Sequence, residues 1–426
     1  MQRTYLGDLS KVHMQPMRAG SKALIREINA ARVLGELRTQ ALQSRTDLAK
    51  RTGLSLPTVS EIVAQLIDMG VVEERTIGRS TGGRRPVLLA IKSDAGYAVG
   101  IKLTETRVIA VLTDLAATIV TRDITPVPDT SVNAVVEAVG DAVARLRASA
   151  HGRPVHGVGV GMAGVVDRTS GVVRHATYSD WHDVDLAGLL TTRVGLPVVL
   201  DNDVNTLVAN ENWFGAGRGV DDVAVVSIGR GIGLGLVLDG RLYRGSAGGA
   251  GEFGHTKVAD GPVCACGGRG CLEALIGEPA LEAQAAAILG QHVDLDAAAD
   301  AARNGNQAVQ EIFRTAGRLL GTAVGNLVNL LNPELVILAG EGTRVSDLFR
   351  ADFDRALALA VFDGLQQGLE IVVDTWDDEA WARGAAGLFL GELFQPKLRP
   401  DEAGRPSLTS GARPTSTERA AGVWTE

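Results

Sequence analysis

One histidine and three cysteines lie close together in the sequence and form a possible set of metal ligands. His255 is followed by Cys264, Cys266 and Cys271, which are all the cysteines of the 426-residue chain. Thiolate and imidazole are ligands that zinc prefers, and four of them close a tetrahedral site with no position left for a substrate. The pattern predicts a structural zinc ion, with three free or buried cysteines in a loop as the alternative.

Two further segments carry groups that suit a polyhydroxylated ligand. Asp201-Asn202-Asp203 follows the apolar run Val198–Leu200, and carboxylates and amides at a strand end can bind neighbouring hydroxyls. The glycine-rich run Ile228–Gly235, followed by Gly251–His255, allows a ligand to approach the backbone closely. Taken alone, each segment is equally typical of a tight turn.

A basic N-terminal segment has the pattern of a helix-turn-helix. Residues 1–90 carry 14 Lys and Arg against 8 Asp and Glu, whereas the whole chain has a net charge of −8. A helix from Ser21 and a short helix over Thr46–Thr52 precede the break Gly53–Ser55. Ser55 then caps a third helix whose apolar stripe is Val59, Ile62, Val63 and Leu66, and which Gly70 ends. A basic segment on an acidic body indicates that this part meets a polyanion.

The third helix is the expected reader of DNA, and a basic hairpin follows it. Four polar residues of the helix lie off its apolar stripe and can reach base edges or phosphates. The hairpin over Gly78–Pro86 adds three arginines that suit a phosphate backbone or a narrow minor groove. A small helical domain with a solvated basic loop is the alternative. The predicted DNA-binding residues are Thr58, Ser60, Glu61, Gln65, Arg79, Arg84 and Arg85.

Beyond Asp94, short apolar strands alternate with helices, which predicts an α/β body. Residues 1–20 have no periodicity and are predicted to form a flexible arm. Residues 395–426 are rich in Pro, Ser, Thr, Gly and Arg, which is typical of a disordered tail. The sequence contains no apolar run of the kind expected for a signal peptide or a membrane span, so we expect a cytoplasmic protein that does not bind membranes.

Together these residues resemble the ROK family (repressor, open reading frame, kinase). Ile228–His255 is similar to the family's signature, Cys264–Glu273 to its zinc loop, and Gly82–Pro86 to the wing of its repressor branch. The resemblance spans roughly residues 21–394. It implies a winged helix-turn-helix domain over residues 21–92, followed at residues 95–394 by a two-lobed, actin-like (ribonuclease-H-like) sugar-kinase fold. The second lobe would start near residue 201, and a C-terminal helix would return to the first lobe.

The resemblance also implies the sugar contacts. Asn202 and Asp203 would hold hydroxyls on one side of the ring, and Glu252, His255 and Glu273 would hold hydroxyls on the other side. His255 would direct one ring nitrogen to zinc and the other to the sugar. Asp203 is the counterpart of the general base in the family's kinases.

One stretch departs from the kinase pattern. The family's kinases open this domain with an Asp-x-Gly-Gly-Thr-Lys phosphate loop, whereas Lys102–Arg107 has Lys102 in place of the Asp and Thr104 and Glu105 in place of the glycines. Side chains at these positions obstruct phosphate binding, so we expect no catalytic residues and no enzyme activity. A second departure is Tyr178–Trp181, where many relatives have Pro-Asn before the Trp.

The function implied by the resemblance is a sugar-responsive transcriptional repressor of carbohydrate uptake or catabolism genes. Its partners would be a palindromic double-stranded operator, a monosaccharide or sugar phosphate effector, and further copies of itself in a homodimer or tetramer. A sugar kinase with a DNA-binding extension, and a DNA-binding regulator with a vestigial sugar pocket, are the alternatives.

Overall fold

The computed structural model describes residues 22–39, 42–76, 87–176, 179–376 and 378–393. The predicted arm at residues 1–20 and the predicted tail at residues 395–426 lie outside these ranges. So do Tyr178 and the hairpin tip with Arg79, Arg84 and Arg85.

The N-terminal unit is a helix-turn-helix with a small antiparallel sheet. Its elements are α1 (Lys22–Thr39), β1 (Gln43–Ser44), α2 (Arg45–Thr52), α3 (Leu56–Asp68), β2 (Val72–Thr76) and β3 (Val87–Ile91). The predicted cap of α3 is present, because the Ser55 side chain accepts a hydrogen bond from the Thr58 backbone N–H. The four residues of the predicted apolar stripe are all buried. The strand β1, which pairs with β3, was not predicted because it has only two residues.

The first lobe of the body is built on a five-stranded sheet with the order β11-β7-β4-β5-β6. Its elements are β4 (Tyr97–Leu103), β5 (Arg107–Asp114), β6 (Ile119–Pro126), α4 (Val132–Ala148), β7 (Val155–Met162), β8 (Gly164–Asp167), β9 (Val172–Ala176), β10 (His182–Val184), α5 (Leu186–Val194) and β11 (Val198–Asn202). A small separate sheet, β10-β9-β8, lies beside it.

The second lobe repeats this topology with the sheet order β14-β13-β12-β15-β16. It follows α6 (Asp203–Phe214) and contains β12 (Val223–Ile228), β13 (Ile232–Leu238), β14 (Arg241–Tyr243), α7 (Leu272–Ile276), α8 (Glu278–Leu289), α9 (Leu295–Arg303), α10 (Gln307–Leu331), β15 (Leu335–Ala339), α11 (Arg350–Ala360) and β16 (Glu370–Val373). In the first sheet β6, β5 and β4 pair antiparallel, and β7 and β11 continue from β4 as parallel strands. In the second sheet β14, β13 and β12 pair antiparallel, and β15 and β16 continue from β12 as parallel strands. The expected two-lobed, actin-like fold is therefore confirmed.

The last helix, α12 (Asp378–Leu393), packs on the sheet of the first lobe. Its backbone lies so close that a Cβ atom on Gly100 would come within 1.9 Å of the Ala382 carbonyl oxygen. A Cβ atom on Gly159 would meet the Ala385 carbonyl oxygen at the same distance. Glycine is required at both positions because only hydrogen fits between strand and helix.

The helix-turn-helix unit and the body share one hydrophobic cluster. Buried residues of α1 and α3 pack together with Ala386, Phe389 and Leu390 near the end of α12. The two parts of the chain are therefore in direct apolar contact.

Candidate functional site

A cleft of about 330 Å³ lies between the two lobes and collects the residues predicted to bind sugar. Asn202, Asp203, Glu252, His255 and Glu273 all line it. They come from the end of β11, the start of α6, the loop before α7 and α7 itself. The cleft therefore brings together all five side chains, although they span 72 positions of the sequence.

Asn202 and Asp203 are fixed by the start of α6. The Asn202 side chain caps the helix by accepting the Val204 N–H at 2.8 Å, and its amide donates to the Gly164 carbonyl at 3.0 Å. Asp203 accepts the same Val204 N–H at 2.9 Å. Burial raises the pKa of Asp203, the Lys102 ammonium opposes this, and Glu341 adds to it. A carboxyl group in this setting suits a hydroxyl ligand.

The opposite wall holds Glu252, His255 and Glu273. Glu273 accepts the backbone N–H of Ile232 at 3.1 Å, which ties α7 to the glycine-rich turn between β12 and β13. The His255 Nε2 atom lies 3.8 Å from a Glu252 oxygen, and both residues line the cleft. These three groups offer donors and acceptors opposite Asn202 and Asp203, as a sugar ring held from two sides requires.

Behind this wall, the four predicted metal ligands converge. The ligand atoms of His255, Cys264, Cys266 and Cys271 all lie within 4.8 Å of one another. The His255 Nδ1 atom is 3.6 Å from the Cys264 sulfur, and the sulfurs of Cys266 and Cys271 are 3.7 Å apart. A tetrahedral zinc site places such atoms roughly 3.5–3.8 Å apart. The residues therefore fit a metal ion, with the Nδ1 atom of His255 towards the sulfurs and its Nε2 atom near Glu252.

The stretch that departs from the kinase pattern forms an ion-pair cluster in the cleft. The Lys102 ammonium lies 2.7 Å from Asp378 at the start of α12 and 3.1 Å from Glu341 after β15. It also lies 4.3 Å from the centre of the Trp381 ring. Burial lowers the pKa of Lys102, but the two carboxylates outweigh burial and raise it, so the side chain stays charged.

Sequence reasoning missed the partners of Lys102 and a second network beside Asn202. Buried Asp201 accepts from Arg168 at 2.8 Å and lies 2.7 Å from an Arg244 nitrogen. Arg168 in turn pairs with Glu392 near the end of α12 at 2.6 Å. These contacts join residues far apart in sequence. The one signal for them in the sequence is the carboxylate of Asp201, which stands next to the predicted sugar-binding residues.

The helix α3 presents part of its predicted DNA-binding set outwards. Gln65 and Glu61 are exposed, together with Ala64 between them. Glu61 pairs with Arg26 of α1, and the Thr58 hydroxyl is hydrogen-bonded to the Ser55 hydroxyl. Ser60 is half-buried on the same helix. The outer face of α3 is therefore accessible, while Glu61 and Thr58 also have structural partners.

The far end of α6 meets the helix-turn-helix unit. Trp213 lies against α1, with the Arg38 guanidinium carbon 3.8 Å from the ring centroid. Gly387 and Gly391 of α12 leave room for the same ring. Burial lowers the pKa of Arg38 to about 10. One helix therefore begins at Asp203, capped by Asn202, and ends beneath the DNA-binding unit.

None of the helices in the described part of the chain is both long and apolar enough to cross a lipid bilayer.

The fold and the cleft define a two-lobed domain of the sugar-kinase type joined to a winged helix-turn-helix. Residues 98–392 match the profile of the ROK family, and residues 28–73 match a winged helix-turn-helix DNA-binding profile. The chain belongs to the ROK family.

Two of the named relatives are transcriptional regulators. The xylose repressor of Caldicellulosiruptor bescii is 29% identical over 88% of this chain and 98% of its own length. The DNA-binding transcriptional dual regulator NagC of Escherichia coli is 27% identical over 87% of this chain and 93% of its own length.

Among solved structures, a ROK family glucokinase from Streptomyces griseus, in complex with glucose and AMPPNP, is 31% identical. It covers 69% of this chain and 99% of its own, with a TM-score of 0.60. A ROK family transcriptional regulator, a homolog of the E. coli MLC protein, has the same fold over 87% of this chain and 97% of its own, with a TM-score of 0.77 and 24% identity. The family thus includes both repressors and kinases.

The buried carboxyl of Glu211 in α6 predicts a pH dependence of stability. Burial, followed by the charge of Asp374, raises the pKa of Glu211 from 4.5 to about 7. Between these values the folded chain keeps a proton that the unfolded chain releases, so stability falls as pH rises through this window. The loss is about 3 kcal/mol at most, and Glu211→Gln should remove it. Urea unfolding at a series of pH values measures the effect.

The matched control is Glu137→Gln, which removes an exposed carboxylate on α4. Its stability should follow the wild-type pH curve. A Glu211→Gln curve parallel to the wild type would contradict the buried, protonated state.

Proposed function

We propose that this chain is a sugar-responsive transcriptional repressor that binds DNA through the winged helix and an effector sugar in the cleft. The observation that carries the proposal is α6, which begins at two predicted sugar residues and ends against the DNA-binding unit. Such a regulator works in the cytoplasm, where its DNA is.

The outer face of α3 is the proposed reading surface. It would enter the major groove with Gln65 and Ser60, and Thr58 and Glu61 would lie at its edges. The predicted wing arginines, Arg79, Arg84 and Arg85, would contact phosphates or the minor groove beside it. The proposal includes a two-fold symmetric operator bound by a homodimer or tetramer, because a single helix-turn-helix reads only one half-site.

The cleft is the proposed effector site. Asn202 and Asp203 would bind hydroxyls from one lobe, and Glu252, His255 and Glu273 from the other. A ligand that bridges two lobes favours the closed arrangement by the difference in its affinity for the two states. Several relatives are named as repressors, which supports repression, and the proposal adds that the sugar releases the DNA.

The proposed route of coupling is mechanical. Val204–Glu211 are buried, so α6 cannot bend easily and moves as a unit. The ligand would contact the first residues of α6. At the other end of this helix, Trp213 packs between α1 and α12. Rotation of α6 on lobe closure would therefore shift the winged helix relative to its copy in the oligomer.

We do not assign kinase activity to the cleft. Phosphoryl transfer requires neutralisation of the phosphate charges and close backbone approach. Here Lys102 is held by Glu341 and Asp378, and Thr104 and Glu105 bear side chains where the family's kinases have glycine. Asp203 would therefore bind a hydroxyl without activating it for transfer.

The His255, Cys264, Cys266 and Cys271 cluster is proposed to hold a structural zinc ion. Four protein ligands leave no open coordination position, so the ion would stabilise the loop without taking part in chemistry. Since His255 Nδ1 faces the sulfurs, the ion would also fix the direction of Nε2 towards the sugar.

The direct test is duplex binding with and without sugar. A duplex selected from a random library by the protein itself should bind, and one or more free monosaccharides from a panel should weaken that binding at least about fivefold. Asp203→Ala should bind the duplex normally and lose the response. Fluorescence anisotropy measures both quantities, with ATP consumption followed in parallel.

Ala64→Glu on the exposed face of α3 should weaken duplex binding about tenfold or more by repulsion of phosphates. Ala144→Glu, an equivalent change on the exposed face of α4, is the control and should bind normally. Efficient sugar-dependent ATP turnover, or equal duplex binding by both variants, would contradict the proposed function.

Purified protein should contain about one zinc ion per chain, because the four ligands form a closed site. Cys266→Ser should lose the ion and unfold at a lower temperature, since the loop over residues 255–271 loses its cross-link. Metal analysis and thermal unfolding measure the two effects. His151→Asn, an exposed histidine away from the cluster, is the control, and zinc retained at full stoichiometry by Cys266→Ser would refute the site.

A further inference from the structure

The described residues that line the cleft carry an excess of negative charge. Six of them are carboxylates and three are cations, apart from His255. The carboxylates are Glu105, Asp203, Glu252, Glu273, Glu341 and Asp378, and the cations are Lys102, Arg107 and Arg230. A site with this balance repels a ligand that brings further negative charge.

Each of the three cations is also close to a carboxylate of the protein. Lys102 contacts Glu341 and Asp378, and Arg107 lies 3.1 Å from the second oxygen of Asp378. Arg230 lies 3.9 Å from Glu105. A phosphate that entered the cleft would have to compete with these carboxylates for every cation.

Glu341 lies where the backbone would otherwise be open to an anion. Its Oε2 atom is 2.6 Å from the position of a Cβ on Gly229, so the carboxylate covers the glycine turn between β12 and β13. The backbone on either side of this contact is closely packed, since a Cβ on the neighbouring Gly340 would lie 2.5 Å from the Ile228 carbonyl oxygen. The Lys102 ammonium, 3.1 Å from the other Glu341 oxygen, holds the negative charge over the turn.

Glu341 lines the same cleft as Asp203, which is proposed to bind a sugar hydroxyl. Lys102 favours and Glu341 opposes the ionised form of Asp203, which places the three groups within electrostatic reach of one another. A phosphate group on the hydroxyl that Asp203 binds would therefore bring its charge next to Asp203, Glu341 and Asp378.

We propose that the cleft recognises an uncharged monosaccharide and rejects the phosphate ester of the same sugar, and that Glu341, held by Lys102, sets this preference. The inference rests on the proposed function, because it concerns the effector of the same cleft.

Calorimetric titration of the full chain tests the preference. The probes are D-glucose, N-acetyl-D-glucosamine and D-mannose, each compared with its ester at the terminal hydroxyl: glucose 6-phosphate, N-acetylglucosamine 6-phosphate and mannose 6-phosphate. Any sugar that binds should bind at least about tenfold more tightly in the free form. An ester that binds as tightly as its free sugar, or more tightly, overturns the inference and leaves the proposed function standing. Absence of binding by all six probes overturns both.

Glu341→Gln tests the assigned residue. The substitution removes one charge from a side chain that is 45% exposed, so the fold should persist, and circular dichroism checks this. The affinity for the ester should rise at least about fivefold relative to that for the free sugar. Glu137→Gln, which removes an exposed carboxylate on α4, should leave the ratio unchanged. A ratio unchanged in Glu341→Gln as well would refute the role of Glu341.

Discussion

The account depends on the rigidity and position of one buried helix. Two residues at the start of α6, Asn202 and Asp203, line the cleft. Near the end of the helix, Trp213 packs against Arg38. A helix buried along most of its length transmits a displacement instead of absorbing it, because its neighbours are close-packed. Trp213 also packs against Gly387 and Gly391 of α12. The chain therefore links the proposed ligand site to the winged helix-turn-helix through a single secondary-structure element.

Under the proposed function, the cleft is a kinase-type scaffold that works as a sensor. Lys102 replaces an acidic residue of the phosphate loop and is satisfied by Glu341 and Asp378, so an internal ion pair stands where an anionic substrate would need free cations. The same pair ties β4 to the second lobe and to α12. Breaking it would leave partly buried charges without compensation, which costs more than the pair itself contributes. The proposed loss of catalysis and the connection of the lobes would thus come from the same side chains.

Much of this could be predicted from the sequence, for physical reasons. The third helix was found because its cap, stripe and terminating glycine are local signals, and the metal cluster because its spacing is short. The family resemblance supplied the two lobes and the five residues expected to bind sugar, which the fold brings into one cleft. The partners of Lys102 and of Asp201 were not predicted, since Glu341, Asp378 and Arg244 are distant in sequence and carry no local pattern. The contact between Arg38 and Trp213 was missed for the same reason.

The most direct test of the account is whether α6 carries the signal. In the wild type, a free monosaccharide that raises the unfolding temperature should also change duplex affinity, by about tenfold. In Trp213→Ala and in Arg38→Ala the sugar should still raise the unfolding temperature, while the change in duplex affinity falls below about twofold. Arg350→Ala, which removes an arginine whose guanidinium carbon lies 6.0 Å from the Phe353 ring centroid on α11, is the control and should keep the full response. A full response in both α6-contact variants would contradict the account.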